Sequence, residues 1–334
     1  MKILYSHRTE EEKNHVAKAL SSFEMVFHDG SLQKGEKWDG KGIEIVSVFV
    51  DSILGKEEFE KMPDLKFIAT RSTGFDHIDL KIAKKKGVIV SNVPTYGEHT
   101  VAEFTFALLL NLSRNILAAN SRVVKEGSFS PNGLTGFDLF EKTIGVLGTG
   151  KIGKNVIKIA KGFGMNVIAF DAFPDTNFAK EQNFKYVTID ELIQTSDIIS
   201  LHLPENKDTH HIINKEKILK MKKGVVIINT ARGSLIDTAA LVFGLEEKII
   251  SAAGLDVLSE EKYINDETQL LSNPHPNQDD LKTLLMNHYL IDRPKVIITP
   301  HTAFNTKEAN QRIINTSIEN IIKFEKGNPQ NIVL

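Results

Sequence analysis

The amino-acid sequence predicts an α/β protein built from two doubly wound parallel-sheet, Rossmann-like domains, one of them inserted in the other. Apolar strand-like segments alternate with helical patterns along almost the whole chain, which is typical of parallel sheets covered by helices. The alternation breaks at residues 94–97 (Pro-Thr-Tyr-Gly) and starts again at Thr143. A length of 334 residues is also more than one core comfortably supports, which favours two domains.

Short apolar runs and helical periodicity predict the elements of each domain. Before the break, strands are predicted at residues 2–6, 43–50, 67–71 and 88–92. After the glycine-rich segment that follows Thr143, they are predicted at residues 197–204, 224–229, 251–256 and 296–300. The remaining predictions are one long apolar helix over residues 98–125, a polar irregular excursion with one short helix over residues 260–293, and a closing helix over residues 307–326.

Composition narrows the possible functions. The 41 basic and 43 acidic residues leave a formal net charge of −2, without the basic excess that nucleic acid would require. The chain has no cysteine, which excludes disulfides and cysteine-ligated metals. His210 and His211 lack a third ligand at a suitable spacing, so no metal is expected. The longest apolar run, residues 101–112, is too short to span a bilayer. We expect a cytoplasmic protein with no nucleic-acid or membrane partner.

A glycine-rich turn is the most informative motif. Residues 148–153 read Gly-Thr-Gly-Lys-Ile-Gly; they follow a buried strand and open a helix, and a second strand ends in Asp171. This order is the dinucleotide-binding fingerprint, in which Gly148 permits a tight turn, Gly150 lets the backbone approach a pyrophosphate, and Gly153 lets the helix pack on the strand. Asp171 would accept hydrogen bonds from ribose hydroxyls and repel a 2′-phosphate, which favours NAD over NADP.

Further polar residues follow the later predicted strands, at the sheet edge where open parallel sheets bind ligands. Arg232 offers a bidentate fork to a carboxylate, although a surface ion pair is the alternative. Asp256 ends the next strand and would hold the carboxamide of the cofactor. His301 closes the last strand, and a neighbouring carboxylate would orient its imidazole for proton transfer. Spacing alone does not choose between Glu260 and Glu261 for that carboxylate.

Together these segments resemble the D-isomer-specific 2-hydroxyacid dehydrogenases, and most closely the D-lactate dehydrogenases among them. The resemblance extends over nearly the whole chain, and its motifs occur in order. They are residues 148–153, Asp171, residues 201–204 (Leu-His-Leu-Pro), residues 229–233 (Asn-Thr-Ala-Arg-Gly), residues 254–257 (Gly-Leu-Asp-Val) and residues 299–301 (Thr-Pro-His).

The resemblance implies an NAD-binding Rossmann domain at residues 98–300 and a substrate domain made of residues 1–97 and 301–334. It implies hydride transfer between the nicotinamide and substrate C2, with pyruvate and NADH giving D-lactate and NAD. The implied catalytic residues are Arg232, Glu261 and His301, which selects Glu261 over Glu260. The implied NAD-binding residues are Gly148, Thr149, Gly150, Lys151, Ile152, Gly153, Asp171, His202, Leu203, Pro204, Thr209, Thr230, Ala231, Arg232 and Asp256.

The implied substrate contacts are Thr73, Gly74, Tyr96, Arg232, His301 and Phe304. Thr73 and Gly74 lie in a turn whose backbone N–H groups would meet the substrate carboxylate, although from the residues alone a plain strand-to-helix turn is equally good. Tyr96 and Phe304 match two of the aromatic residues that leave room for only a small substrate side chain. Where a third aromatic is expected the sequence has Asp51, with Phe49 two residues earlier, which counts against lactate if Asp51 faces the pocket.

Two other functions share these motifs. A glyoxylate/hydroxypyruvate reductase, or another 2-oxo acid reductase, would use the same catalytic residues on a different side chain. An NAD-sensing protein that resembles the C-terminal-binding-protein corepressors would bind the cofactor without turnover. A homodimer is expected in either case, because the long apolar helix over residues 98–125 has more apolar surface than one subunit would cover.

Overall fold

The computed structural model describes residues 1–32, 38–261 and 278–334. They form two compact units, Met1–Tyr96 with Asn305–Leu334, and Gly97–Phe304. The strands are β1 (Lys2–His7), β2 (Glu24–Asp29), β3 (Ile45–Val48), β4 (Phe67–Thr70), β5 (Ile89–Ser91), β6 (Thr143–Leu147), β7 (Asn166–Phe170), β8 (Lys185–Tyr186), β9 (Ile198–Leu201), β10 (Val225–Asn229), β11 (Ile250–Leu255) and β12 (Val296–Ile298). The helices of eight or more residues are α1 (Glu10–Ala19), α4 (Glu98–Arg114), α5 (Ile116–Glu126), α6 (Lys151–Gly162), α10 (Thr238–Glu246), α11 (Gln278–Ile291) and α12 (Lys307–Glu325). The shorter ones are α2 (Lys56–Lys61), α3 (Leu80–Lys86), α7 (Thr176–Glu181), α8 (Ile189–Thr195) and α9 (Lys215–Lys220).

The first unit is built on a parallel sheet of five strands in the order β2-β1-β3-β4-β5. Its central strands are buried on both faces, with Tyr5 and Phe67 among the fully enclosed side chains. The edge strand β2 was not predicted, because most of its residues are only partly buried and its sequence mixes polar with apolar side chains. Helix α12 confirms the predicted closing helix.

The second unit is built on a parallel sheet of seven strands in the order β12-β11-β10-β9-β6-β7-β8. The order reverses between β6 and β9, and open α/β sheets bind their ligands outside the carboxyl ends of the strands at such a point. Both sheets are parallel throughout, which confirms the predicted fold class. The two-residue edge strand β8 was not predicted, because so short an element leaves no periodic pattern.

The prediction of one continuous helix over residues 98–125 is wrong. Helix α4 ends at Arg114, α5 begins at Ile116, and the two are bent by 63°. Asn115 lies between them in the left-handed region, at φ 53°. Its side-chain amide donates hydrogen bonds to the backbone carbonyls of Leu134 and Thr135, at 3.1 and 3.2 Å. These bonds hold Asn115 in place between the two helices.

The polar segment predicted over residues 260–293 ends in a longer helix than expected. Helix α11 has 14 residues where a short helix was expected, while residues 262–277 of the prediction lie outside the described residues. Across the described ranges, no single helix is long and apolar enough to cross a membrane; only the bent pair α4–α5 reaches that length and apolarity together, and much of α4 is buried in its own unit.

Candidate active site

The glycine-rich turn joins β6 to α6, and two of its glycines are required by close backbone contacts. Gly148 has φ +93°, and a Cβ there would lie 2.6 Å from the backbone oxygen of His202. A Cβ on Gly153 would lie 2.0 Å from the backbone oxygen of Gly148. The turn and the first helical turn therefore pack so closely that only glycine fits at both positions.

Gly150 lies between Gly148 and Gly153 in the turn and has no close neighbours. A Cβ on this residue would meet nothing within 4 Å, so the space above the turn is open. Gly150 is the N-cap of the 12-residue helix α6, whose first turn holds no acidic residue, and among the described residues no side chain caps it. Open space beside uncapped backbone N–H groups fits the pyrophosphate of a dinucleotide. Lys151 lies in the same first turn, with its Nζ 3.8 Å from Glu98; Ile152 packs against the core.

Asp171 follows β7 and is held by the same turn. Its Oδ2 accepts the backbone N–H of Thr149 at 2.6 Å and the Thr149 hydroxyl at 2.9 Å. Its Oδ1 accepts the backbone N–H of Phe173 at 2.9 Å. A carboxylate that is fixed in this way beside the glycine turn fits the ribose of NAD.

The segment after β9 supplies the next predicted cofactor residues. His202 places Nε2 2.8 Å from the Ser200 hydroxyl, and its Nδ1 is enclosed with no hydrogen-bond partner among the described residues. Burial lowers the pKa of His202 to about 3, so this imidazole is neutral at physiological pH. Leu203 is buried, and the Thr209 hydroxyl donates to the backbone oxygen of Pro204 at 2.6 Å, which closes the turn.

Arg232 lies in a turn that a buried asparagine holds in shape. Asn229, the last residue of β10, accepts the N–H of Ala231 through Oδ1 at 3.0 Å and donates from Nδ2 to the carbonyl of Arg232 at 2.9 Å. The Thr230 hydroxyl is 3.1 Å from that of Thr105. Asn229 was not predicted as a site residue, because its role depends on backbone groups that only the folded turn brings to it.

Gly233 brings the Arg232 turn against the segment that carries Glu261. A Cβ on Gly233 would lie 2.0 Å from the backbone carbon of Leu258. On the same segment, the N–H of Leu258 donates to Oε1 of Glu261 at 3.0 Å. The two segments follow the neighbouring strands β10 and β11, so the fold places them side by side.

His301 and Glu261 form a hydrogen-bonded pair. Nδ1 of His301 is 3.0 Å from Oε2 of Glu261, and each side chain is a little over one-third exposed, at 39% and 35%. The backbone of His301 is in the left-handed region, at φ 49°, and its N–H donates to the carbonyl of Asp256 at 2.8 Å. The ring is thus held through Nδ1, and Nε2 is the nitrogen that can exchange a proton with a substrate.

Asp256 anchors the loop on which His301 stands. Its carboxylate accepts the Thr299 hydroxyl at 2.5 Å and the backbone N–H groups of Thr302 and Ala303 at 2.9 and 2.8 Å. Burial raises the pKa of Asp256, and these three hydrogen bonds oppose the rise. Most acceptor positions of this carboxylate are therefore filled by the chain itself, which makes it a support for the loop as well as a candidate for the cofactor carboxamide.

Three of the other predicted substrate residues, Thr73, Gly74 and Tyr96, belong to the first unit. The Thr73 hydroxyl donates to the carbonyl of Val93 at 2.8 Å, and the Asn92 amide donates to the Thr73 carbonyl at 2.8 Å, so the turn that contains Gly74 is fixed. The Tyr96 carbonyl accepts from Nε of Arg312 at 2.7 Å. Phe304 belongs to the second unit and is partly buried.

Asp51 and Phe49 share one cationic partner. Asp51 accepts a hydrogen bond from Arg8 at 2.9 Å, and the Arg8 guanidinium lies 4.0 Å from the centre of the Phe49 ring. Phe49 directly follows β3 and is 6% exposed. The charge of Asp51 is thus balanced by Arg8, and the aromatic residue at the end of this strand is Phe49.

Comparison with known proteins identifies the family. Residues 106–303 match the family described as "D-isomer specific 2-hydroxyacid dehydrogenase, NAD binding domain". The chain belongs to the D-isomer-specific 2-hydroxyacid dehydrogenase family. It is 37% identical to D-lactate dehydrogenase of Escherichia coli, over 91% of this chain and 90% of that protein. It is 38% identical to hydroxypyruvate reductase of Blautia hydrogenotrophica, over 83% of this chain and 81% of that protein.

A solved structure has the same fold. The D-lactate dehydrogenase of Aquifex aeolicus, crystallised with NAD and lactic acid, superposes with a TM-score of 0.85 at 36% identity, over 98% of this chain and 96% of that one. These matches confirm the predicted family, its oxidoreductase chemistry on D-2-hydroxy acids and NAD as the cofactor. Relatives with different substrates match at almost the same identity, so identity does not select a substrate.

Proposed function

We propose that this dehydrogenase is a D-lactate dehydrogenase that reduces pyruvate with NADH. The observation that carries the proposal is the His301–Glu261 pair at 3.0 Å, in which the segment that carries Glu261 packs against the turn that carries Arg232. An imidazole oriented by a carboxylate is a general acid and base near neutral pH. The guanidinium of Arg232 would bind the substrate carboxylate and stabilise charge on the C2 oxygen.

In the reducing direction, protonated His301 donates its Nε2 proton to the carbonyl oxygen of pyruvate. When bound, NADH supplies the hydride to C2. Glu261 holds the imidazole through Nδ1 and stabilises its positive charge before the transfer. In the oxidising direction neutral His301 removes the hydroxyl proton of D-lactate, and Arg232 keeps the carboxylate in place in both directions.

The proposal assigns a different role to each unit. The second unit is the NAD-binding domain, and the first is the substrate domain. Thr73 and Gly74 bind the substrate carboxylate through backbone N–H groups, and their turn is supported by the hydrogen bonds to Val93 and Asn92. Tyr96 and Phe304 limit the substrate side chain to a small group. Pairing of Asp51 with Arg8 is consistent with a lactate-type pocket, because the charge of Asp51 has a cationic partner.

A substrate panel tests the proposal. Initial rates of NADH oxidation are measured with pyruvate, 2-oxobutyrate, phenylpyruvate, hydroxypyruvate and glyoxylate, and the oxidation of D- and L-lactate is measured with NAD. We expect the highest kcat/KM with pyruvate, and oxidation of D-lactate only. A preference for hydroxypyruvate or glyoxylate would assign the chain to the reductases of the same family. Tight NADH binding without turnover of any acid would indicate a sensor.

We also propose a cytoplasmic homodimer. None of the 11 residues of α5 is buried, and its apolar side chains are exposed, including Val124 at 73%. Phe129 in the following segment is 94% exposed. Neighbouring exposed apolar side chains of this size are typical of a protein interface. Sedimentation analysis tests the dimer, and cell fractionation tests the location.

A further inference from the structure

We propose that Tyr186, on the edge strand β8, is a positioning residue for NAD. Its hydroxyl holds the hydroxyl of Thr149 in place, and Thr149 in turn fixes Asp171, which receives the cofactor ribose. The inference rests on NAD as the cofactor and is independent of which 2-oxo acid is reduced. Nothing in the glycine-rich motif points to Tyr186, which lies 37 positions from Thr149 in the sequence.

The hydrogen bonds around Tyr186 have one consistent direction. The Tyr186 oxygen accepts the backbone N–H of Asp175 at 3.1 Å and lies 2.8 Å from the Thr149 hydroxyl oxygen. Thr149 donates its only hydroxyl hydrogen to Asp171. The bond between the two hydroxyls must therefore be donated by Tyr186. The result is a series of hydrogen bonds that runs from the N–H of Asp175 through the hydroxyls of Tyr186 and Thr149 to the Asp171 carboxylate. In such a series, each bond strengthens the next.

This series of hydrogen bonds determines which oxygen of Asp171 remains available to the cofactor ribose. Thr149 uses Oδ2 twice, through its backbone N–H and its hydroxyl, and Phe173 uses Oδ1 once. A carboxylate accepts about four hydrogen bonds, so the remaining position lies on Oδ1. The carboxylate is thereby prevented from rotating, and a ribose hydroxyl finds an acceptor that is already oriented. Orientation in advance improves affinity, because less conformational freedom is lost on binding.

The fold supplies a reason for the position of Tyr186. Strand β8 pairs in parallel with β7, with Tyr186 opposite Ala169, near the carboxyl end that Asp171 follows. The Tyr186 ring packs edge-on against Phe184, with the ring centres 5.2 Å apart. Asp175 is anchored separately, by Lys154 at 2.6 Å and by the N–H of Phe178 at 3.0 Å. The ring and its surroundings thus have their own contacts, and the hydroxyl can be removed alone.

The test measures equilibrium binding to the enzyme without substrate, using the fluorescence of NADH and NADPH as the readout. The variants are Tyr186→Phe, which keeps the ring, Thr149→Val, which removes the hydroxyl that Tyr186 holds, and the double variant. Loss of one hydrogen bond between two neutral hydroxyls, which reaches Asp171 only through Thr149, corresponds to a weakening of about three- to tenfold in the Kd for NADH. The melting temperature of each variant without cofactor controls for damage to the fold.

We expect Tyr186→Phe to raise the Kd for NADH by that factor and to leave the Kd for NADPH within about twofold, because a 2′-phosphate cannot donate to Asp171. In the Thr149→Val background the Tyr186 substitution should have no further effect, since Tyr186 acts through Thr149. An unchanged Kd for NADH overturns the proposal. Equal weakening of NADH and NADPH, or a full additional effect in the double variant, also overturns it, because either result would indicate a general structural role.

Discussion

His301 and Glu261 are joined by a bond of 3.0 Å between Nδ1 and Oε2, while the second oxygen of Glu261 accepts the N–H of Leu258. The carboxylate is therefore held on both sides, by the ring that it orients and by its own backbone. Glu260, the adjacent acid, has a left-handed backbone at φ 58°. Of the two acids, Glu261 is the one that pairs with the imidazole.

The first prediction concerns this pair. Replacing His301 by Ala should lower kcat by about 10²- to 10⁴-fold, because the proton donor is lost. Glu261→Gln keeps a hydrogen-bonding side chain but removes the carboxylate that holds the ring through Nδ1. It should therefore lower kcat for pyruvate reduction by about tenfold or more. Glu260→Gln is the matched control, and a loss of kcat as large as that of Glu261→Gln would contradict the assignment.

The second prediction concerns the geometry of Arg232. Arg232→Lys preserves the positive charge but loses the planar fork, so it should still lower kcat/KM by about tenfold or more. Arg232→Ala should lower it by about 10²- to 10³-fold. Steady-state kinetics with pyruvate and with NADH varied separately will distinguish the substrates. The KM for NADH should change less than the KM for pyruvate, and the reverse result would assign Arg232 to the cofactor.

The third prediction compares two glycines of one motif. Gly153→Ala would place a Cβ 2.0 Å from the backbone oxygen of Gly148, so it should lower the free energy of unfolding by about 1–3 kcal/mol. Gly150→Ala introduces a methyl group into open space at an ordinary backbone conformation, φ −64°. It should leave the unfolding free energy within about 0.5 kcal/mol and weaken NADH binding, because the methyl group occupies the space of the pyrophosphate. Urea unfolding and NADH titration measure the two effects.

These residues also show how far the sequence predicts the fold and the site. The glycine turn, Asp171 and the strand-end residues Arg232 and His301 could be predicted as site residues because their motifs are local and have a fixed spacing. Strands β2 and β8 were missed because β2 is partly exposed and mixes polar with apolar residues, and β8 has only two residues. The break at Asn115 depends on carbonyls about 20 residues away. Contacts of this kind, like those of Asn229 and Tyr186, exist only after the chain has folded.

The fourth prediction concerns stability and pH. Burial lowers the pKa of His202 to about 3 from 6.5, so the folded protein keeps this ring neutral in a range where the unfolded chain protonates it. The unfolded state then binds more protons, and stability is lost as the pH falls from 6.5 towards 3. The loss from this one group is at most about 1.4 kcal/mol per pH unit. His202→Gln should reduce the slope of the unfolding free energy between about pH 6 and pH 5. An identical slope in both proteins would show that His202 does not contribute.

The fifth prediction concerns the exposed apolar surface of α5 and the segment after it. Val124 and Phe129 are 73% and 94% exposed in the single subunit. If a second copy covers them, Val124→Glu combined with Phe129→Glu places unpaired charges in the interface, which is strongly unfavourable. The double variant should sediment as a monomer at concentrations where the unmodified protein is a dimer. Phe173→Glu is the matched control, because Phe173 is 90% exposed but follows β7 and belongs neither to α5 nor to the segment after it. Loss of the dimer in the control, or its persistence in the double variant, would place the interface elsewhere on the subunit.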